Sequence, residues 1–317
     1  MLPVGVADEK MMNTSTSTEA RNLLYEEYAT TMKERALVLG GGGVAGIAWT
    51  TGLLFGLSEH GIDLRTAEMI LGTSAGSAVA AQLSSGLSLK DLFDRQVEPA
   101  QQTRELAPSS HLFELFERAL VTANNLRDRS EHTRHIGRWA LEAPTVTESE
   151  RRAVIVERLP SHAWPGGTLL IVAVDTETGE TKIFDRLSGT SLVDAVAASC
   201  AVPGIWPPVS IDGRRYMDGG ARSSDNADLA LGYARTMIVA PMGTARPEIT
   251  GESVEQQVET LKNASAKTYL IEPDQASKNA IGLNPLAPET RTPAARAGRS
   301  QGHAIAKDVA LFWSSSN

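Results

Sequence analysis

The sequence predicts an α/β fold on a mostly parallel sheet, and three observations carry that prediction. Two apolar runs, Arg35–Leu39 and Met69–Leu71, each end in a glycine-bearing turn that opens a helical stretch, the strand–turn–helix order of parallel units. Later strand-like runs at Thr168–Val174, Thr236–Ala240 and Lys267–Pro273 are separated by helix-patterned segments. The 317 residues, 42% of them apolar, suffice to bury the core of one large α/β domain or two small ones. We read residues 1–34 as an extension, partly disordered, and 35–317 as one domain.

The first 35 residues carry Asp8, Glu9, Glu19, Glu26, Glu27 and Glu34 and no apolar core of secretory length. Met11 to Thr18 is low-complexity, and Glu19 to Lys33 has the pattern of a short surface helix. No run approaches the ~20 apolar residues of a transmembrane span. A net charge of −8 without a basic stripe argues against nucleic acid. It also gives no pull towards an anionic bilayer, so transient membrane contact has to be local and apolar. The expected location is cytoplasmic, with peripheral membrane contact open. Cys200 is the only cysteine and excludes an intrachain disulfide.

The first strand runs into Gly40-Gly41-Gly42-Gly43-Val44-Ala45-Gly46, and a helix follows to Gly61. Such a loop exposes backbone N–H groups at a helix N-terminus, an anion cradle. Three readings compete. A dinucleotide fingerprint wants an acidic residue after the second strand, where Gly72-Thr73-Ser74 stands. A P-loop wants Gly-Lys-Ser/Thr, which is absent. An oxyanion hole fits best, because consecutive strands of a parallel sheet neighbour each other and bring this loop beside Ser74. Gly72-Thr73-Ser74-Ala75-Gly76 is a Gly-x-Ser-x-Gly pentapeptide between an apolar strand and a small-residue helix, as a nucleophile elbow requires. Gly72, Ala75 and Gly76 are small enough for that strained turn. The Ala75 N–H is then free to face a developing oxyanion.

Beyond the elbow, Leu89–Gln96, His111–Leu120, Thr133–Leu141 and Glu148–Leu159 have helical apolar spacing. We read residues 97–165 as a helical insertion whose mixed Arg and Glu form a solvated face. His111, His132, His135 and His162 offer no metal-ligand spacing, and no metal or other cofactor is expected. A hairpin over Thr168–Phe184 precedes a small-residue helix, Ser191–Cys200, with Cys200 as a packed thiol. Arg214 to Asp218 then delivers an aspartate into a Gly219-Gly220 turn. Residues 274–291 read as a loop, and a C-terminal helix sets Ile305, Val309 and Phe312 on one face.

The ordered blocks Gly41–Gly46, Gly72–Gly76, Ala198-Ser199-Cys200-Ala201-Val202-Pro203 and Asp218-Gly219-Gly220 resemble the patatin-like phospholipase family across residues 36–240. The resemblance implies a three-layer αβα fold and a serine lipid acyl hydrolase acting through an acyl-enzyme. It makes Ser74 the nucleophile and Asp218 the base of a dyad without histidine. Gly41, Gly42, Gly43, Val44 and Ala75 form the oxyanion and substrate-binding set, and Gly46, Gly72, Gly76, Pro203, Gly219 and Gly220 support the motifs. The implied partner is a lipid or other acyl ester. One departure stands out: Ala45 occupies a position that is usually Arg or Lys in the family, which bears on recognition of charged headgroups. Two rivals are an α/β-hydrolase triad using His303 and a catalytically silent lipid-binding protein of the same fold.

Overall fold

The computed structural model describes residues 33–106, 129–244 and 251–314. The expected N-terminal helix and the helix at His111–Leu120 lie outside these residues. The strands are β1 (Lys33–Leu39), β2 (Met69–Thr73), β3 (Thr168–Asp175), β4 (Thr181–Phe184), β5 (Val209–Ile211), β6 (Arg214–Asp218), β7 (Tyr233–Val239) and β8 (Lys267–Ile271). They form one sheet in the order β5-β6-β3-β2-β1-β7-β8, with β4 paired to β3. The β3-β2-β1-β7-β8 pairings are parallel, and β4, β5 and β6 pair antiparallel. The parallel strands are covered on both faces, so their sequences are continuously apolar rather than alternating.

Residue parity along β1 sorts the two faces. Leu37 and Leu39 enter the larger core with Ile70, Ile171 and Ala173, whereas Ala36 and Val38 enter a second core with Leu71, Val172 and Ile238. The first face is covered by α1 (Gly43–Ser58), α2 (Ala75–Leu83), α3 (Leu89–Val97), α5 (Glu148–Arg158), α6 (Leu192–Ser199) and α9 (Arg291–Ser314). The second is covered by α4 (Arg129–Glu142), α7 (Val254–Asn263) and a 3-10 turn at Ala227–Ala230. Helices therefore sandwich a mostly parallel sheet in three layers, as expected.

Helix α1 is apolar all round because it is buried all round. Its Gly52 and Gly56 meet Gly298 and Gly302 of α9. A Cβ at Gly52 would stand 2.0 Å from Ala295 O, and one at Gly298 2.1 Å from Trp49 O. This backbone-to-backbone packing fixes α1, and with it the glycine loop at its N-terminus.

Two expectations are corrected. Residues 274–291 are not simply a loop: α8 (Gln275–Ile281) and a 3-10 turn at Pro288–Thr290 lie there. The Asp274 side chain caps α8 by accepting from Ser277 N, and Gly282 ends it at φ +68°. The second correction concerns charge. Within the expected insertion, Arg151, Arg158 and the Glu105 side chain are buried rather than solvated. Of the predicted C-terminal face, Val309 is fully buried and Ile305 and Phe312 pack against the core.

Candidate active site

Strand register brings three of the four sequence blocks together. Leu39 pairs with Gly72, Thr73 with Val172, and Ala173 with Asp218. The glycine loop therefore leaves the sheet beside Ser74, while Asp218 sits one strand beyond on the other side, across β3. Two strand spacings of ~4.8 Å separate the backbones, a gap that a serine and an aspartate side chain reaching towards each other span.

Ser74 follows β2 and caps α2 at φ 52°, ψ −119°, a conformation that L-residues rarely adopt. The surroundings impose it. Ser74 N donates to Ser199 Oγ at 2.9 Å, and Ser74 O accepts from the Ser77 hydroxyl at 2.6 Å and the Cys200 thiol at 3.2 Å. A Cβ on Gly76 would lie 1.9 Å from Leu39 O, and one on Gly72 2.5 Å from Ser77 Cα. The glycines of the pentapeptide are thus required by close packing of α2 on β1 and β2.

The glycine loop is held from several sides. Gly41 N donates to Ser224 O at 2.8 Å, and Ala45 N to Pro285 O at 2.9 Å. The N–H of Gly41 is thereby committed, so Gly41 contributes close approach rather than a donor: a Cβ there would stand 3.5 Å from Ser74 Cβ. Gly43 has φ +62° and lies against Pro285 and Leu286. Gly46 and Gly42 pack on Pro241. Among the described residues, the N–H groups of Gly42, Gly43, Val44 and Ala75 have no protein acceptor. They lie at the N-termini of α1 and α2, where uncommitted donors and the helix dipole favour negative charge. Ala45 is fully buried and brings no cation to the loop.

Asp218 ends β6 and is buried. Its N–H donates to Ala201 O at 3.0 Å, which anchors it to the block ending in Pro203, a residue of the turn that follows. Oδ1 accepts from Gly220 N at 2.7 Å, while Oδ2 has no hydrogen-bond partner among the described residues. Gly219 packs against Val172 O and the Thr73 methyl. Burial raises the Asp218 pKa to about 7, against the opposing pull of the Ser74 side chain, the Gly220 N–H and Arg151. No sequence motif singles out Asn226, yet its buried Nδ2 donates to Thr73 Oγ1 at 3.1 Å and Gly219 O at 3.3 Å, tying the elbow strand to the aspartate turn.

Ser74, Ala75, Gly43 and Val44 border a cavity of about 20 Å³, which Glu105, Arg151, Arg158 and Trp206 also line. That is room for about one water, so an acyl chain requires side chains to move apart. Burial keeps the Cys200 thiol, also in this lining, protonated by raising its pKa. His303 is elsewhere. Its ring bonds Glu59 Oε2 at 2.7 Å, and Glu59 caps the C-terminal end of α1, 16 residues from the glycine loop. At ~1.5 Å per residue that is roughly 24 Å away. Among the described residues, no group of three His, Cys, Asp or Glu is gathered as a metal site, and no helix is long and apolar enough to cross a membrane.

Several known proteins are similar to this chain. An uncharacterized protein, R571, of Acanthamoeba polyphaga mimivirus is 27% identical over 187 residues, 58% of this chain and 57% of that protein; the chain thus spans little more than half of that relative. Among solved structures, VipD from Legionella pneumophila aligns over 87% of this chain and 67% of its own, at 14% identity and a TM-score of 0.43. The type III effector protein ExoU aligns over 87% and 53%, at 16% identity and a TM-score of 0.39. The family description patatin-like phospholipase matches residues 37–231, from the first strand past the Asp218 turn. The chain belongs to the patatin-like phospholipase family.

Proposed function

We propose that the protein is a serine lipid acyl hydrolase that cleaves carboxylic esters of lipids or phospholipids through a Ser74–Asp218 dyad and an acyl-enzyme. One observation carries the reading: a buried carboxylate, with one oxygen unpartnered and a pKa near neutrality, stands beside a serine on a strained elbow. An ordinary aspartate at pKa ~3.9 is too weak a base for a hydroxyl. Raised to about 7, Asp218 is matched to take a proton near neutral pH.

In this mechanism Ser74 Oγ attacks the ester carbonyl while its proton passes to Asp218 Oδ2. The carbonyl electron pair becomes an oxyanion facing the N–H groups of Gly42, Gly43, Val44 and Ala75, and each such donor is worth roughly 2.7–4 kcal/mol in comparable sites. The intermediate collapses with loss of the alcohol, which takes the proton from Asp218 and leaves Ser74 acylated. Water, deprotonated by Asp218, then attacks the acyl-enzyme, and the serine regains its proton as the acid departs. The uncommitted Oδ2 fits a resting site whose contact with Ser74 tightens when substrate excludes water.

The test is labelling and turnover together. A fluorophosphonate should modify Ser74, and Ser74→Ala should lose at least ~10³ in kcat on lipid and p-nitrophenyl esters, on the scale seen when a catalytic serine is deleted. Label recovered on another residue, or a turning-over Ser74→Ala protein, removes the dyad from the chemistry.

A further inference from the structure

Part of the lining of the Ser74 cavity is buried charge, and an adjoining cavity continues it. Arg151, Arg158 and Arg291 are each more than nine-tenths buried, and come from the start and end of α5 and the first residue of α9. Among the described residues, Glu105 is the one carboxylate bonded to them. Its Oε1 accepts from Arg151 Nη1 at 2.5 Å and its Oε2 from Arg158 Nη2. Arg291 donates to Thr103 O at 2.9 Å and has no ion-pair partner among the described residues. Three buried guanidiniums share one bonded carboxylate, and Asp218, the other buried carboxylate that Arg151 acts on, is held near neutrality by its raised pKa, so positive charge is in excess in a buried setting, where unpaired charge is costly. Arg151 Nε is buried without an acceptor, and its guanidinium stacks 4.0 Å from the Trp206 ring centroid. A second cavity shares Val44, Ile47 and Arg158 with the first and is also lined by Arg291, so the cations extend away from Ser74 along one path.

A wholly structural ion network would bring matched carboxylates. Instead the surplus, the orphaned Nε and the route to Ser74 call for an oxyanion from outside. Guanidinium forks suit a tetrahedral phosphate, which takes several bidentate contacts and up to two charges. Since Ala45 offers no cation in the glycine loop, positive charge near Ser74 has to come from other elements. Resting on the acyl-hydrolase reading above, we propose that Arg151, Arg158 and Arg291 form a phosphate subsite beside Ser74, held in the resting protein by Glu105 as an internal counter-ion that the ligand phosphate displaces. The phosphate is either the substrate's own, a short reach from its scissile ester, or free phosphate. Exchange for the Glu105 carboxylate supplies space that the resting cavities lack.

The experiment has a binding arm and a kinetic arm. In the binding arm, Glu105→Ala should melt below wild type, and inorganic phosphate should restore its melting temperature where chloride at equal ionic strength does not. In the kinetic arm, wild type should favour 1-acylglycerol 3-phosphate over the neutral 1-acylglycerol by at least tenfold in kcat/KM, mostly through KM. Arg291→Gln, which breaks no ion pair, should collapse that ratio towards one. Both results together assign the substrate's phosphate; restoration without a kinetic preference assigns free phosphate. Absence of both restoration and preference overturns the subsite and leaves the arginines as scaffold, and a preference without restoration overturns the displacement of Glu105. If Glu105→Ala gives no folded protein, the ratio in wild type and Arg291→Gln decides alone. Should Ser74→Ala retain hydrolysis, the acyl-hydrolase reading fails while the melting arm still reads phosphate binding.

Discussion

Two carboxylates are buried around the Ser74 cavity, and burial acts on them in opposite senses. Asp218 has only the nearby Ser74 side chain and the Gly220 N–H to favour its charged form, so desolvation dominates and its pKa climbs to about 7. Glu105 is desolvated as well, but Arg158 and Arg151 outweigh that and hold its pKa below the ordinary glutamate value. Burial alone therefore does not decide what a carboxylate is for. The first is poised to accept a proton near neutrality, and the second is fixed as an anion between two cations.

Substitution at Asp218 should have the largest effect. Asp218→Asn keeps an oxygen for Gly220 N but cannot accept the Ser74 proton. We expect ester hydrolysis to fall by roughly 10²–10⁴, the range that general-base catalysis supplies. In wild type, kcat/KM should rise with pH and level off above about 7, as Asp218 loses its proton. Stability should move the other way. Between the unfolded pKa of ~3.9 and about 7 the folded state binds the extra proton, so this group's contribution is full below the lower value and is lost as pH rises through the upper. A rise from ~3.9 to about 7 corresponds to an upper bound of ~4 kcal/mol. Asp218→Asn should consequently melt higher than wild type at pH 8 while being nearly inactive. Paired melting curves and initial rates check this. An Asn variant that melts below wild type at pH 8, or that turns over normally, breaks the contrast between the two carboxylates.

Glu105→Gln should sharpen the contrast from the other side. It leaves Arg151 and Arg158 buried without their counter-ion. Removing one partner of a buried pair typically costs about 3–5 kcal/mol, and we expect a loss of that order in denaturant titrations at pH 7. Here the folded pKa is lowered, so the stabilisation is present above the unfolded pKa and is lost as pH falls through the folded one. Wild type should therefore lose stability in acid faster than Glu105→Gln does. Equal acid sensitivity in the two proteins removes Glu105 as a structural anion.

The same two regions mark what the sequence disclosed. The Ser74 elbow and the glycine loop are each local, because strand, tight turn and helix are written within a dozen contiguous residues, and the β1–β2 neighbourhood follows from their order; the Asp218 turn alone reads as an ordinary Asp-Gly turn, and only the family resemblance singles it out. The α/β class followed from apolar runs alternating with helical stretches and the three layers from the family resemblance, and the two-faced burial of β1 bears both out. The arginine cluster was illegible, since Glu105, Arg151, Arg158 and Arg291 come from separate stretches and each alone reads as a surface charge. Ser199 and Asn226 are hidden for a similar reason: a single polar residue gives no hint that it caps an elbow or ties two turns. Helix α8 was legible in part, for Asp274 and Gly282 are a cap and a stop that a loop reading passes over.

The smallest expected effect is at His303, and it tests whether the chemistry needs a histidine at all. The ring shares Glu59 with Arg299, whose Nε and Nη2 donate at 2.7 and 2.6 Å, and it stands edge-on to His60 at 5.1 Å. Arg299 chiefly, with His303 assisting, holds Glu59 at a pKa of about 2, yet the group is close to solvent. Exposed pairs of this kind are worth about 0–1 kcal/mol. Arg299 remains when His303 is removed, so His303→Ala should shift the denaturation midpoint only slightly. Hydrolysis should stay within about twofold of wild type, since no path connects a ring at the far end of α1 to Ser74. A triad histidine behaves differently: its loss costs a thousandfold or more while the fold is untouched. Initial rates on one short-chain ester separate the two, and a thousandfold loss in a normally melting His303→Ala protein would mean that Asp218 does not act as the base in the way its burial suggests.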